Sequence, residues 1–298
     1  MYFESLAEEK TPEGLALKLA YGNAIMAKTM KKITYPCKSV SVIIPSRLAK
    51  NPLGKYWFED AVESILKQNI RSELTIEALV CCDEDSETLN YQNVTFIKSK
   101  TKSQAGALNA GLDAAQGEVI TFLEDDDTWH PKRLDYSIVA LNTFDFVSCN
   151  QLEFIVDKSG IKIFQNINDC ATPSGWMVKR DYFNQIGKFD ESFKWHLDTE
   201  WLGRLNRAGA KRCHFVEKGC QLNSMDSIIG TRSRLAQMMY NSSLGSAIVN
   251  TAEEYPLVFR ATHEGSGMSK IATDSEANKL SLEEHSRIRK MNNGVNPW

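Results

Sequence analysis

Residues 39–45, SVSVIIP, form an unbroken apolar run closed by proline. A strand without polar alternation is covered on both faces, so this run implies helices on both sides of a sheet. The next segment, YWFEDAVESILKQ at 56–68, supplies one of them: Trp57, Phe58, Ala61, Val62, Ile65 and Leu66 recur at helical spacing and gather into one stripe. The pattern then repeats as strand 74–82, short strand 94–97, helix 104–115 and strand 119–123. Such alternation predicts an α/β fold with a Rossmann-like, mainly parallel central sheet flanked by helices. Ligands of these sheets bind at the carboxyl ends of strands. Here those ends carry Pro45, Ser46 and Arg47, then Asp83, Glu84 and Asp85, then the acids Glu124, Asp125, Asp126 and Asp127.

Around this core, residues 1–37 read as an N-terminal helical extension, with Thr11 as cap and Pro12 opening a helix over 11–32. The main domain divides near 150. Its second half, 151–228, begins with a hairpin turning at Lys158, Ser159 and Gly160 and continues to a helix in LDTEWLGRLNRAG, and is expected to lie over the first half, 38–150. Residues 229–298 read as a mostly helical segment, with a loosely ordered polar tail after about 275.

Composition narrows the class. With 298 residues, 42% apolar and 24% charged, the chain can build the core of a soluble globular protein. A formal net charge of −3 argues against an extended nucleic-acid surface. The seven cysteines are scattered, contain no CxxC pair and point to a reducing compartment; Cys81 and Cys82 read as buried strand residues. The first 20 residues carry acids where a signal peptide is basic, and no run approaches the ~18 apolar residues of a membrane span. A cytoplasmic enzyme without an integral membrane segment is expected, one that could still reach a lipid-linked substrate from the membrane surface.

Four adjacent carboxylates at a strand end repel one another, and solvent, basic side chains or a metal ion must offset that charge. Magnesium or manganese held by one or two carboxylates and a substrate diphosphate would do so. EDDDTWHP lacks the alternating acids and central glycine of a calcium loop. The alternative is a solvated turn capping the helix that Pro131 opens. In SQAGALNAGLDAAQGE, 103–118, small residues including Ala107 permit close approach to a ligand or a neighbouring strand, and Asn109 adds a hydrogen-bonding group. Asp198 and Glu200 stand two apart at a helix start, so one can face a cleft while the other caps. In VFRATHEGSGMS, 258–269, Arg260 and His263 are candidates to contact a diphosphate or, for His263, a metal. Trp129 and Trp176 could each cover a sugar face or pack in the core.

Taken in order, VSVIIPSR, LVCCDEDSET, AGALNAGLDAAQGEVITFLEDDDTWHPKRL, GKFDESF and HLDTEWLGRLNRAG resemble the inverting, nucleotide-sugar-dependent glycosyltransferases of family 2, which have the A-type fold. The resemblance runs from about 38 to 215, with an echo at 258–269. It implies a nucleotide-sugar-binding half at 38–150 and an acceptor-binding half at 151–228. Pro45, Ser46, Arg47, Asp83, Asp85, Ala107, Asn109 and Asp125 would then border the nucleotide sugar, with Asp83 at the base. Asp126 would hold a divalent cation, Mn2+ or Mg2+, with His263 as a further ligand, flanked by Glu124 and Asp127. Asp198 falls on the catalytic base and Glu200 on the next acidic position; Trp176 and Arg260 are secondary candidates.

The chain departs from the family pattern at Asp83, Glu84 and Asp85, where two acids and a glycine are usual, and at Leu197, where a second acid usually precedes the base. A UDP-sugar donor and a glycan, lipid-linked or protein acceptor are implied. The rival readings are a sugar nucleotidyltransferase, suggested by IIPSRLAKNPLGK, and a non-catalytic nucleotide-sugar or glycan-binding module.

Overall fold

The computed structural model describes Ala24 and residues 35–70, 73–157, 159–220, 246–263, 265–294 and 297. The expected helix at 11–32, apart from Ala24, and the expected helical stretch at 229–245 lie outside the described residues.

The centre is an eight-stranded sheet. Its strands are β1 (Ser39–Pro45), β2 (Thr75–Asp83), β3 (Thr95–Ser99), β4 (Val119–Phe122), β6 (Phe146–Cys149), β9 (Met177–Lys179), β10 (Arg212–Val216) and β11 (Ala247–Asn250), in the order β11-β10-β6-β9-β4-β1-β2-β3. All neighbours are parallel except β9, which runs antiparallel to both β4 and β6. β1 lies between β2 and β4, pairing Ile44 with Val80 and Ile43 with Phe122, so three of the expected ligand-binding strand ends are neighbours.

The unbroken apolar character of β1 follows from its two covered faces. Val42 and Ile44 pack with Phe58, Ala61, Val62 and Ile65 of α1 (Trp57–Leu66) and with Leu134 and Ile138 of α3 (Arg133–Ala140). Ile43 belongs to the opposite core, with Leu108 of α2 (Gln104–Ala114), Phe122 and Trp176. Gly111 lets α2 press onto the sheet: a Cβ there would lie 2.5 Å from Ile43 and 2.6 Å from Cys81 Sγ. Gly111 therefore serves helix–sheet packing, while a Cβ at Gly106 would instead meet Thr101 in the loop before the helix.

The expected second half, 151–228, is not one separate layer: its strands divide between the central sheet and a second sheet. β6, β9, β10 and β11 continue the same sheet, while helices α4 (Arg180–Ile186) and α5 (Leu197–Arg207) follow β9. A second sheet of four strands contains β5 (Thr128–Trp129), β7 (Gln151–Val156), β8 (Lys162–Asn168) and β12 (Val258–Ala261) in the order β5-β12-β7-β8. β7 and β8 are the expected hairpin. β12 pairs antiparallel with β5, directly after the acids, and so fastens the C-terminal region to the acid turn.

Two expectations for the C-terminal region are corrected. Residues 247–250 are strand β11 and not helix, because Ala247 and Val249 join the apolar cluster beside β10. The polar tail is ordered: α6 (Gly267–Thr273) leads into α7 (Ser275–Met291), a 17-residue helix capped by Asp274, whose Ile288 is buried in the core. A polar helix with one narrow apolar stripe carries a weak sequence signal, which explains the difference.

Candidate active site

Leu123 extends the sheet by donating its N–H to Ile43 O at 3.0 Å, and the chain then turns sharply, with Asp127 N–H bonded to Glu124 O at 3.1 Å. The four acids occupy this turn between β4 and β5. Each points to a different partner.

Asp127 turns inward and is buried. Its Oδ2 accepts from Ser174 Oγ at 2.6 Å and its Oδ1 from Ala261 N–H at 3.0 Å, which joins the turn to β12. Ser174 Oγ also accepts Glu124 N–H at 3.0 Å. Asp127 is thus an anchor of the turn. Asp125 accepts a 2.6 Å hydrogen bond from Ser46 Oγ at the end of β1, and that oxygen accepts Leu48 N–H at 2.9 Å. Leu48 itself sits at φ 54°, an uncommon left-handed conformation for a bulky residue. Glu124 accepts from Gln104 Nε2 on α2 at 3.0 Å. Asp126 meets His263, whose Nε2 lies 2.9 Å from Asp126 Oδ2 and whose ring stacks on Trp57 at 5.2 Å.

Carboxylate oxygens of Glu124, Asp126 and Asp127 lie within 4.8 Å of one another. Burial, reinforced by the charge of Asp126, pushes Glu124 and Asp125 up to about 7 and Asp127 well above the usual carboxylate range. Arg260 opposes this: burial disfavours its charge, but Glu124, Asp127, Glu153 and Asp126 outweigh that and hold it above its ordinary value. The hydrogen bond to Asp126 raises His263 against the effect of burial. None of the four carboxylates caps α3, whose N-terminus has no side-chain cap, so the solvated-turn reading does not describe this segment. An oxygen-rich set joined by one imidazole, with carboxyls driven toward protonation by burial and then by neighbouring charge, fits a hard divalent cation such as Mn2+ or Mg2+.

Asp198 stands in the first turn of α5, half-buried, with Oδ1 accepting Thr199 N–H at 2.7 Å. Burial raises its carboxyl, opposed by that hydrogen bond and by His196. Its charge also helps raise Glu124, which ties α5 electrostatically to the acid turn. Arg47 acts on the same region, lowering Asp125 and His263.

Several expected site residues serve the scaffold. Glu200 points away from the turn: it is buried and grips Arg204 through hydrogen bonds of 2.8–3.1 Å, while Arg204 also holds the carbonyls of Ile186 and Lys188. Trp176 is fully buried between Phe146 and Trp201, and Trp129 is buried with Nε1 donating to Ser174 O at 2.8 Å, so neither presents a face to a sugar. Asn109 uses its carboxamide on the chain, accepting Phe189 N–H at 3.0 Å and donating to Phe189 O and Glu191 at 3.0 Å each. Ala107 is part of the core beside it. Asp85 is exposed and pairs with Lys102. Pro45 pairs with Cys81 at the end of β1, and Asp83 ends β2 beside it.

Sequence reasoning missed Ser174, Gln104 and Trp57 as partners of the acid turn. Trp57 was legible only as part of an apolar stripe, and nothing in TPSGW distinguishes Ser174 from any other loop serine.

Residues 41–197 match Glycosyl transferase family 2. An uncharacterised glycosyltransferase of Nostoc sp. is 41% identical over 229 residues, covering 64% of this chain and 69% of the relative. Another, from Rickettsia typhi, is 25% identical over 264 residues, 79% of each chain. The Escherichia coli UDP-Glc:alpha-D-GlcNAc-diphosphoundecaprenol beta-1,3-glucosyltransferase WfgD is 32% identical over 121 residues, 37% of this chain and 45% of the relative. Among solved structures, residues 1–349 of S. aureus TarS in complex with UDP align over 85% of this chain and 69% of that one, with a TM-score of 0.45 and 14% identity. The mannosyltransferase PcManGT from Pyrobaculum calidifontis, in complex with GDP-Man and Mn2+, aligns over 70% and 65%, with a TM-score of 0.45 and 16% identity.

Proposed function

Since the chain belongs to glycosyl transferase family 2, we propose that it moves a sugar from a nucleoside-diphosphate sugar to an acceptor hydroxyl, with a divalent cation and with inversion at the anomeric carbon. The observation that carries this reading is the joint placement of three features at one sheet end. Ser46 holds Asp125, His263 meets Asp126, and carboxylate oxygens of Glu124, Asp126 and Asp127 converge within 4.8 Å of one another.

In this reading Asp126, with His263, would hold Mn2+ or Mg2+, which supplies charge neutralisation for the departing nucleoside diphosphate. Asp127 keeps the turn in shape through Ser174 and Ala261. Ser46 fixes Asp125 as a neutral or charged acceptor for donor hydroxyls, and Asp83 and Arg47 border the nucleotide. Asp198 accepts the proton of the acceptor hydroxyl; its burial raises it toward the range where a carboxylate is an effective base. The acceptor oxygen forms its bond to the anomeric carbon as the bond to the diphosphate oxygen breaks, so a single displacement inverts configuration.

The 32% identity to the E. coli glucosyltransferase supports a UDP-sugar donor and a lipid-diphosphate acceptor as the first pair to try. Among the described residues no helix is long and apolar enough to cross a membrane. Transfer is tested with Mn2+, UDP-glucose and a polyprenyl-diphosphate sugar, against Asp198→Asn. Product formed by the intact chain and lost in the variant, with donor binding kept, supports the assignment. Full transfer by the variant removes Asp198 from the base role. Pyrophosphate release from a nucleoside triphosphate plus sugar, without use of a nucleotide sugar, would identify a nucleotidyltransferase instead. Donor binding without turnover under any acceptor would identify a binding module.

A further inference from the structure

The segment leading from Phe189 into α5 carries no regular structure, yet it delivers Asp198 to the site. Asn109 holds its start by bracketing the backbone of Phe189. Its end is held from α7, beyond the stretch of chain that matches the family. Glu284, only 5% exposed, accepts three consecutive backbone N–H groups: Lys194 at 2.7 Å, Trp195 at 2.9 Å and His196 at 3.0 Å. One turn earlier on α7, Ser281 Oγ lies 2.8 Å from His196 Nε2. One turn later, Ile288 is fully buried in the same cluster as Phe193, Leu197 and Trp201. The spacing 281, 284, 288 places all three on one face of the helix.

The first N–H groups of a helix, and those entering it, need partners from outside its own ladder. A local side chain usually provides one, but His196 at the N-cap of α5 makes no such bond. The carboxylate of Glu284, 88 positions further along the chain from His196, instead holds the N–H of that N-cap residue and of the two residues leading into it. Hydrogen bonds to a charged acceptor are roughly twice as strong as neutral ones, and three of them on one buried group leave the segment little freedom. Because Asp198 lies in the first turn, any rotation of that turn moves its carboxyl.

We propose that Glu284 is a positioning residue that fixes the first turn of α5 and thereby sets where Asp198 stands relative to the acid turn. This rests on the reading of Asp198 as the base. A base displaced by about 1 Å can lose on the order of 100-fold in rate without any change in substrate affinity.

The test compares Glu284→Gln and Glu284→Ala with the intact chain by backbone hydrogen exchange and by hydrolysis of UDP-glucose with Mn2+. Glu284→Gln retains an acceptor oxygen and guards against loss of the fold. Exchange in 189–202 is expected to rise roughly tenfold or more, with β1 and β4 keeping their protection. Hydrolysis should show kcat falling about tenfold for Glu284→Gln and further for Glu284→Ala, at unchanged KM for the donor. Unaltered exchange in 189–202 would overturn the proposal, as would a change in KM alone. So would loss of protection throughout the sheet in both variants, because Glu284 would then be a general stability element. If the intact chain turns over no donor with or without an acceptor, the functional reading fails, while the exchange comparison still decides whether Glu284 holds the segment.

Discussion

His263 Nε2 lies 2.9 Å from Asp126 Oδ2, a contact that closes 137 positions of chain onto the acid turn. Stacked on Trp57, the imidazole is held in a fixed plane, and its role as hydrogen-bond partner of Asp126 raises its basicity. If it exchanges this role for that of a ligand, His263→Ala should weaken Mn2+ binding about tenfold while leaving the fold intact. Calorimetric titration with Mn2+ checks this; unchanged affinity would make His263 a loop anchor only.

The acid turn predicts a coupling between metal, pH and stability. Glu124 and Asp125 are pushed to about 7 in the folded chain, above their values of about 4 when unfolded. Between about pH 4 and 7 the folded state therefore binds more protons, and without metal its stability falls as pH rises through that window. A divalent ion stabilises the ionised carboxylates and removes the loss. The Mn2+-induced rise in Tm should be several degrees larger at about pH 8 than at about pH 5. Scanning calorimetry at both pH values decides; equal shifts would contradict the coupling.

Asp127 and Ser174 form one buried network with Ala261. Ser174→Ala leaves the Asp127 carboxyl and Glu124 N–H each short of a partner, and should cost about 2 kcal/mol. Asp127→Ala should cost a similar amount, and the double variant less than the sum, since both act on the same bonds. Urea denaturation of the three variants measures this. Strict additivity would separate the two residues.

Asp198 and Glu200 are two positions apart and meet different partners, Thr199 and Arg204. Asp198→Asn should abolish transfer and spare donor binding. Glu200→Gln breaks a buried pair with Arg204 and should lower stability by about 3 kcal/mol, with turnover per folded molecule retained. Activity normalised to the folded fraction distinguishes them.

How far the sequence reached is clear from particular residues. The strands β1, β2 and β4 and the helices α1, α2 and α5 follow from uninterrupted apolar runs and helical stripes, because burial on both faces leaves a strong periodic signal. Their shared strand ends place Ser46 beside Asp125. The order of motifs supplied the family. What stayed illegible depends on contacts between distant segments. Asn109 and Glu200 are polar residues inside recognisable motifs, and only the fold shows that their partners are Phe189 and Arg204. Trp176 carried no mark distinguishing a sugar platform from a core residue. α7 was hidden because the residues that hold the segment before α5, Ser281, Glu284, Arg287 and Ile288, are mostly polar and leave little apolar periodicity.

The most direct test of the central claim is release of nucleoside diphosphate from a panel of nucleotide sugars, with Mn2+, with Mg2+ and with chelator, for the intact chain and Asp126→Ala. Slow hydrolysis of one donor is expected, dependent on the divalent ion and lost in the variant. Hydrolysis that continues in chelator, or that survives Asp126→Ala at the same rate, would contradict it.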